Sequence, residues 1–269
     1  MNCGAAMSKQ FKALVLCGEG INCETETAYA LKEAGFVVQV STINELVAQS
    51  FSQSILERDF SLLALPGGFS YGVELGSGRV LAIKIKRALQ LDLHAFASKG
   101  GLVIGICNGF QALIRTGLLP FRTIGNMQAT LSNNESGHFE CRWIRMEIQK
   151  GSKSIFMKDH EIVTYPIAHG EGRFFTDPET LTKVEKEKLV VFRYVDDTNK
   201  PTMKYPENPN GSLNSIAGIT DPTGRILGLM PHPECFTRIE QHPNWRRGDV
   251  KAPPGLQLFK NMVDYAKQS

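Results

Sequence analysis

None of the six cysteines (3, 17, 23, 107, 141 and 235) are paired at CxxC spacing. That excludes a tetrahedral zinc motif readable from local spacing, and the sites read from sequence include no metal. A disulfide framework is equally out of place in a chain of 269 residues with 42% hydrophobic content. Charge of one sign is scarce. The 30 basic and 27 acidic residues leave a net +3, too little to call for nucleic acid or a membrane surface as partner. No apolar run reaches membrane-spanning length, and Met1 to Gln10 lacks the apolar core of a secretory signal. The expectation is therefore a cytoplasmic protein. GxG at Gly18-Glu19-Gly20 is not followed by GxxG or GK[ST], so no phosphate-binding loop is read there. No ATP-grasp or P-loop segment occurs elsewhere.

What is present is an ordered alternation of apolar runs and amphipathic stretches. Lys12 to Cys17 reads as a buried strand and Glu24 to Ala34 as a helix closed by Gly35. Phe36 to Ser41, Ser61 to Leu65 and Gly101 to Ile106 read as further strands. Ile43 to Gln49 reads as a short helix, and Leu75 to Ser98 carries one long helical pattern. Continuous apolar strands alternating with helices predict a parallel, doubly wound α/β sheet. After Pro120 the pattern changes. Cys141 to Ile148, Glu161 to Ile167 and Leu189 to Tyr194 alternate, as antiparallel strands added to the edge of the first sheet would. Strands at Ser215 to Ile219 and Arg225 to Met230 and a helix at Leu256 to Ala266 follow. Without repeat or linker, the organisation is a flexible leader over 1–11, poorly ordered to Ser8, and one domain over 12–269.

Chemistry concentrates at strand ends. Gly105-Ile106-Cys107-Asn108-Gly109 has the G-x-nucleophile-x-G form of a nucleophile elbow, in which small residues let a sharp turn raise the nucleophile above the sheet. The helix N-terminus behind it favours a thiolate. A lone cysteine at a strand end is ordinarily a packed core residue, so the elbow alone leaves both readings open. A thiol nucleophile needs a base and a group that orients it. His232 and Glu234 end another apolar strand two residues apart, where strand alternation would turn both to one side. Pro66-Gly67-Gly68-Phe69 ends a third strand, and glycine N–H groups there can approach an oxyanion. The N–H groups of Gly68 and Asn108 are the expected oxyanion hole. Cys23 and Cys235 lack an elbow, and Cys235 is expected to point away from the triad. His169, in a Gly-rich polar stretch, suits a binding loop better than a base.

The order PGG, GICNGFQ and HPE resembles the class I (triad) glutamine amidotransferases. Within them, GINCE at Gly20, PGGFSYG at Pro66, NESGHFE at Asn134, PIAHGEGR at Pro166, NPNGS at Asn208 and MPHPE at Met230 resemble the glutaminase part of phosphoribosylformylglycinamidine synthase, over residues 12 to 236. The resemblance implies a flavodoxin-like doubly wound sheet with additional antiparallel strands. It implies Cys107, His232 and Glu234 as triad, with Gly67, Phe69, Gln111, Asn134, Ser136 and Phe139 contacting glutamine. His169, Glu171 and Arg173 fall in a loop expected at a partner interface. The implied partner is a large synthetase subunit carrying the ATP and magnesium of a ligase in purine synthesis, with room for a small bridging subunit; no cofactor is expected on this chain. Two departures stand out: Val73 and Glu74 follow Gly72 where the family has Asp directly, and Ile21 and Glu24 replace Thr and Asp in the N-terminal loop. The tail beyond Phe236 has no assigned role. Rival readings are a glutaminase serving another synthetase, a cysteine peptidase or amidase on the same elbow, and a binding subunit without catalysis.

Overall fold

The computed structural model describes residues 10–72, 76–157, 161–248, 250 and 252–268. The expected leader at Met1 to Ser8, and the Val73-Glu74 departure, lie outside the described residues. In chain order the elements are β1 (Lys12–Cys17), α1 (Glu24–Ala34), β2 (Val37–Thr42), α2 (Ile43–Ala48), α3 (Gln53–Asp59), β3 (Leu62–Leu65), α4 (Arg79–Arg87), α5 (Leu93–Ser98), β4 (Leu102–Ile106), α6 (Asn108–Thr116), β5 (Thr130–Ser132), β6 (Glu140–Ile148), β7 (Ile162–His169), β8 (Arg173–Phe175), α7 (Pro178–Lys186), β9 (Val190–Tyr194), β10 (Ile216–Thr220), β11 (Ile226–Leu229) and α8 (Pro254–Gln268).

The main sheet runs β2-β1-β3-β4-β11-β10-β9-β6-β7. Its first five strands are parallel, in the 2-1-3-4-5 order of flavodoxin-like folds. β10, β9, β6 and β7 extend it antiparallel. The difference follows from cover: β3, β4 and β11 are buried at every position, whereas β7 alternates buried and half-buried residues. β5 and β8 form a separate two-stranded ribbon. Phe11, assigned by sequence to the leader, packs into the core.

The single helix expected over Leu75 to Ser98 is two helices. Gln53 accepts a hydrogen bond from Asp92 N (2.8 Å) and donates one to Asp92 O (3.1 Å), while the Asp92 carboxylate caps α5 at Ala95 N (3.0 Å). A backbone so held cannot continue the i to i−4 ladder. Sequence patterning also passed over α3, α7 and the three-residue strands β5 and β8. The consequence for function is geometric: the turns after β1, β3, β4 and β11 all open on the carboxyl edge of the parallel strands, where ligands bind in such sheets.

Candidate active site

Cys107 follows β4 with φ 49° and ψ −103°, a left-handed conformation rare for a residue with a side chain. The turn is this tight because α6 packs onto β3: a Cβ on Gly109 would stand 1.9 Å from Leu65 O. The expected elbow is thus present, and Cys107 N donates to Leu229 O of β11 (2.8 Å), tying nucleophile strand to histidine strand. The thiol is 4% exposed, with Sγ 3.8 Å from Ala168 O.

His232 Nδ1 lies 2.7 Å from Glu234 Oε1, and both side chains are buried. Strand alternation does not bring them together; β11 has ended at Leu229, and Pro233–Cys235 form a 3-10 turn that folds the carboxylate back under the ring. Burial opposes a charge on His232, but the Glu234 carboxylate, then the surrounding thiols of Cys107, Cys23 and Cys235, overcome it and hold its pKa well above the usual imidazole value. Nε2 has no hydrogen-bond partner, leaving one ring nitrogen for a thiol proton while the other is anchored.

The same turn corrects the expected orientation of Cys235, whose thiol interacts with the His232 ring. Cys23 Sγ is 3.9 Å from His232 Nδ1. Burial raises the pKa of both thiols, that of Cys235 to about 11, which makes them poor nucleophiles beside a residue held on an elbow. Sequence reasoning set both aside for want of an elbow; it could not show that Cys23 meets His232, across 209 positions.

A cavity of about 130 Å³ opens at Cys107, lined by Gly68, Phe69, Ser77, Gln111, Phe139, Ala168, His169, Gly170 and Glu171. Phe69 and Phe139, both exposed, face each other at 6.0 Å between ring centres. Gly68 has φ 142°, and its N–H donates to no described group. Asn108 opens α6, where the first N–H groups have no intrahelical acceptor. These are the two N–H groups that the sequence reading assigned to an oxyanion. The Asn108 side chain donates to Gln111 Oε1 (3.0 Å), and Gln111 Nε2 donates to Glu171 O (2.6 Å), bridging the elbow helix to the loop opposite.

Not every expected contact lines this cavity. Gly67 stands behind it, where a Cβ would come within 2.6 Å of His232 Cε1 and 3.4 Å of Cys107 Cβ. Asn134 is buried and works on the loop instead. Its Nδ2 donates to His138 O (2.9 Å) and His169 O (2.8 Å), and its Oδ1 accepts from Gly172 N (3.1 Å). Ser136 Oγ donates to Glu140 Oε1 (3.1 Å). His169 was expected at a partner surface, but it is 2% exposed and forms cavity wall. Its Nδ1 faces Asn134 Oδ1 at 3.1 Å. Since that oxygen already accepts from Gly172 N, Nδ1 is the donor. Burial, then repulsion from His232, pushes the His169 pKa down to about 3, so this ring is no substitute base. Arg173 pairs with Glu135 (3.6 Å) and donates to Gly211 O (3.2 Å), away from the cavity. Ser77, Ala168 and Gly170 join the lining without any local sequence signal.

The sequence profile of the CobB/CobQ-like glutamine amidotransferase domain matches residues 10–266. The chain belongs to this amidotransferase family. It is 43% identical to the phosphoribosylformylglycinamidine synthase subunit PurQ of Dehalococcoides mccartyi, over 97% of this chain and the whole of that protein. It is 42% identical to the subunit of the same name from Methanococcus maripaludis, over 94% of this chain and 97% of that one. Among solved structures it resembles a chain of PurLQS from Thermotoga maritima, with a TM-score of 0.71, 30% identity, and coverage of 96% of this chain and 100% of that one. A glutamine amidotransferase of known structure from the same organism (TM-score 0.55, 15% identity) shares the fold. The class I amidotransferase fold expected from sequence is therefore the fold found.

Proposed function

We propose that this chain is the glutaminase component of phosphoribosylformylglycinamidine synthase, with Cys107, His232 and Glu234 as its triad. The observation that carries the reading is the buried His232–Glu234 pair at 2.7 Å beside a strained Cys107 elbow, opening on a small cavity. Cys107 Sγ attacks the side-chain amide carbon of glutamine as His232 Nε2 takes its proton. The resulting oxyanion is met by the N–H groups of Gly68 and Asn108. His232 returns the proton to the departing ammonia, leaving a glutamyl thioester that water hydrolyses to glutamate. Gln111, Phe69 and Phe139 hold the substrate, and Asn134 and Ser136 shape the loops around it.

No helix of the described residues is long and apolar enough to cross a membrane. We place the protein in the cytoplasm, acting without a cofactor of its own. Ammonia leaves this chain for a large synthetase subunit that binds ATP and magnesium and performs the ligase step, with a small bridging subunit as in a PurLQS assembly. Glu171 and Arg173 lie at the edge facing that partner. Cys107→Ala should lower glutamine-dependent synthesis by on the order of 10⁴-fold or more, while synthesis from added ammonia by the same complex persists. Retained glutamine turnover in that variant would overturn the triad; turnover of a peptide but not of glutamine would favour an amidase. Adding the synthetase subunit should raise glutamine hydrolysis several-fold, since uncoupled release wastes glutamine; a rate indifferent to the partner would overturn the coupled role.

A further inference from the structure

His232 Nδ1 has two neighbours rather than one. Glu234 Oε1 approaches at 2.7 Å and Cys23 Sγ at 3.9 Å. One ligand atom each from Cys23, His232 and Glu234 lies within 4.8 Å of the other two. Cys23 is not part of the triad. It comes from the turn after β1, held there by hydrogen bonds from Asn22 N and Cys23 N to Gly67 O (3.2 and 3.3 Å), and it is half-buried. Two polar atoms of these side chains, His232 Nε2 and Glu234 Oε2, are buried without a partner.

A tetrahedral zinc ion takes sulfur at about 2.3 Å and nitrogen or oxygen at about 2.0 Å, which sets neighbouring ligand atoms roughly 3.3–3.6 Å apart. From the distances above, the thiol need close on the ring nitrogen by only a few tenths of an ångström and the carboxylate draw back from it by about half of one, while thiol and carboxylate, within 4.8 Å of each other, need approach by at most about 1.3 Å. With Oε2 unbonded, rotation of the Glu234 carboxylate supplies that movement. We propose that Cys23, His232 and Glu234 form an inhibitory site for a thiophilic divalent cation of the zinc class, seated between the catalytic base and the β1 turn. A thiolate, an imidazole and a carboxylate suit zinc; magnesium and calcium select all-oxygen sites, so the magnesium of a nucleotide-using partner does not compete.

The chemistry is ligand exchange with no redox change. The ion deprotonates the thiol it coordinates, and that proton passes to solvent. At His232 it displaces the ring proton from Nδ1 to Nε2, so that S–metal and N–metal bonds form where S–H and Nδ1–H bonds break and an Nε2–H bond forms. The neutral ring then keeps its one remaining proton on Nε2, the nitrogen that must accept from Cys107. Catalysis stops with the nucleophile untouched. Sequence spacing cannot show such a site, because its ligands are separated by 209 positions. Inhibition rests on the glutaminase reading, whereas occupancy of the site does not.

The test uses the full chain stripped of metal, titrated with zinc against a competing chelator, and with cobalt as an optical probe. One ion should bind per chain, with a thiolate-to-cobalt charge-transfer band. Cys23→Ala and Cys23→Ser should each lose the band and bind zinc at least about tenfold more weakly, the least loss that removing even an outer-shell partner brings. Cys107→Ala should keep both. Excess magnesium should change neither. No binding by the wild-type chain, equal binding by the Cys23 variants, or loss confined to Cys107→Ala would each overturn the site. In the assembled synthase, the zinc concentration that halves glutamine turnover should rise about tenfold in Cys23→Ser relative to its own metal-free rate. Zinc bound at Cys23 without any effect on turnover would overturn the inhibitory role while leaving the site; absence of glutamine turnover in every sample would count against the glutaminase reading, with the binding result still decisive.

Discussion

Cys107 holds a left-handed conformation that costs on the order of 1–3 kcal/mol, sustained only because neighbouring packing leaves no alternative. Gly67 is part of that packing. The space where its Cβ would stand is occupied by the His232 ring on one side and approached by Cys107 on the other, with Cε1 at 2.6 Å. Its φ falls outside the left-handed range, so alanine is acceptable to the backbone and the conflict is purely with the base. His232 cannot yield inward, since Glu234 holds Nδ1. Gly67→Ala should therefore leave the chain folded, with a melting temperature within a few degrees of wild type. Its kcat/KM for glutamine should fall about 100-fold, the scale on which a displacement near 1 Å acts. Wild-type kcat/KM would mean that the ring has room to move and that Gly67 is an ordinary turn glycine. Cys235 teaches the complementary lesson at this scale. Its expected direction came from strand periodicity, and a 3-10 turn of three residues was enough to reverse it.

The loop between β7 and β8 forms one wall of the cavity; Gln111 and Asn210 bond it at Glu171 O and Gly172 O, and one side chain from the β5–β6 connection holds it at several points. Asn134 binds His169 O, Gly172 N and the His169 ring, while its own N–H donates to Gly170 O (2.8 Å). Removing the carboxamide strands a buried carbonyl, an N–H and a ring nitrogen together. Asn134→Ala should cost about 2–4 kcal/mol by denaturant unfolding, at 1–3 kcal/mol for each buried group left unpaired and partial relaxation between them. It should raise KM for glutamine more than it lowers kcat, because it loosens the wall and leaves the triad alone. A kcat effect without a KM effect would place Asn134 in the chemistry instead. Elements with strong periodicity or full burial, such as β3, β4, β11 and α1, were legible in the sequence. The break between α4 and α5 was not, because apolar spacing continues through Leu89 and Leu91 and the interruption is imposed from outside by Gln53. α7 did carry a local signal in Asp177 and Pro178, a cap and a first-turn proline. The residues of the proposed triad stood out because elbow chemistry demands particular residues at fixed offsets. The place of Ser77, Ala168 and Gly170 in the cavity, and the approach of Cys23 to His232, were not, since they reach the site only through folding.

Across the whole molecule, the two buried histidines pull stability in opposite directions with pH. His232 has its pKa raised in the fold, so its contribution is complete below the unfolded value near 6.5 and is lost as pH rises through the folded one. His169 is the reverse. With a folded pKa of about 3 against about 6.5 unfolded, the unfolded chain alone takes up its proton across that interval, and stability falls as pH drops through it. The groups facing His169 sharpen this. His232 and Arg142 both repel a charge there, and the Glu140 carboxylate across the β6–β7 pairing is engaged by Arg142 at 2.8 Å. Between pH 7 and pH 5 the His232 contribution is near its full value and ordinary carboxylates remain ionised, so His169 dominates the change. Its share at pH 5 is about 2 kcal/mol, from 1.4 kcal/mol per pH unit below 6.5. His169→Asn keeps a donor toward Asn134 Oδ1 and removes the titration. Urea unfolding at pH 7 and pH 5 should then show the variant losing about 2 kcal/mol less than wild type over that interval. Equal losses would mean that His169 is charged in the fold, and the cavity wall beside Cys107 would then carry a cation rather than the neutral imidazole its burial demands.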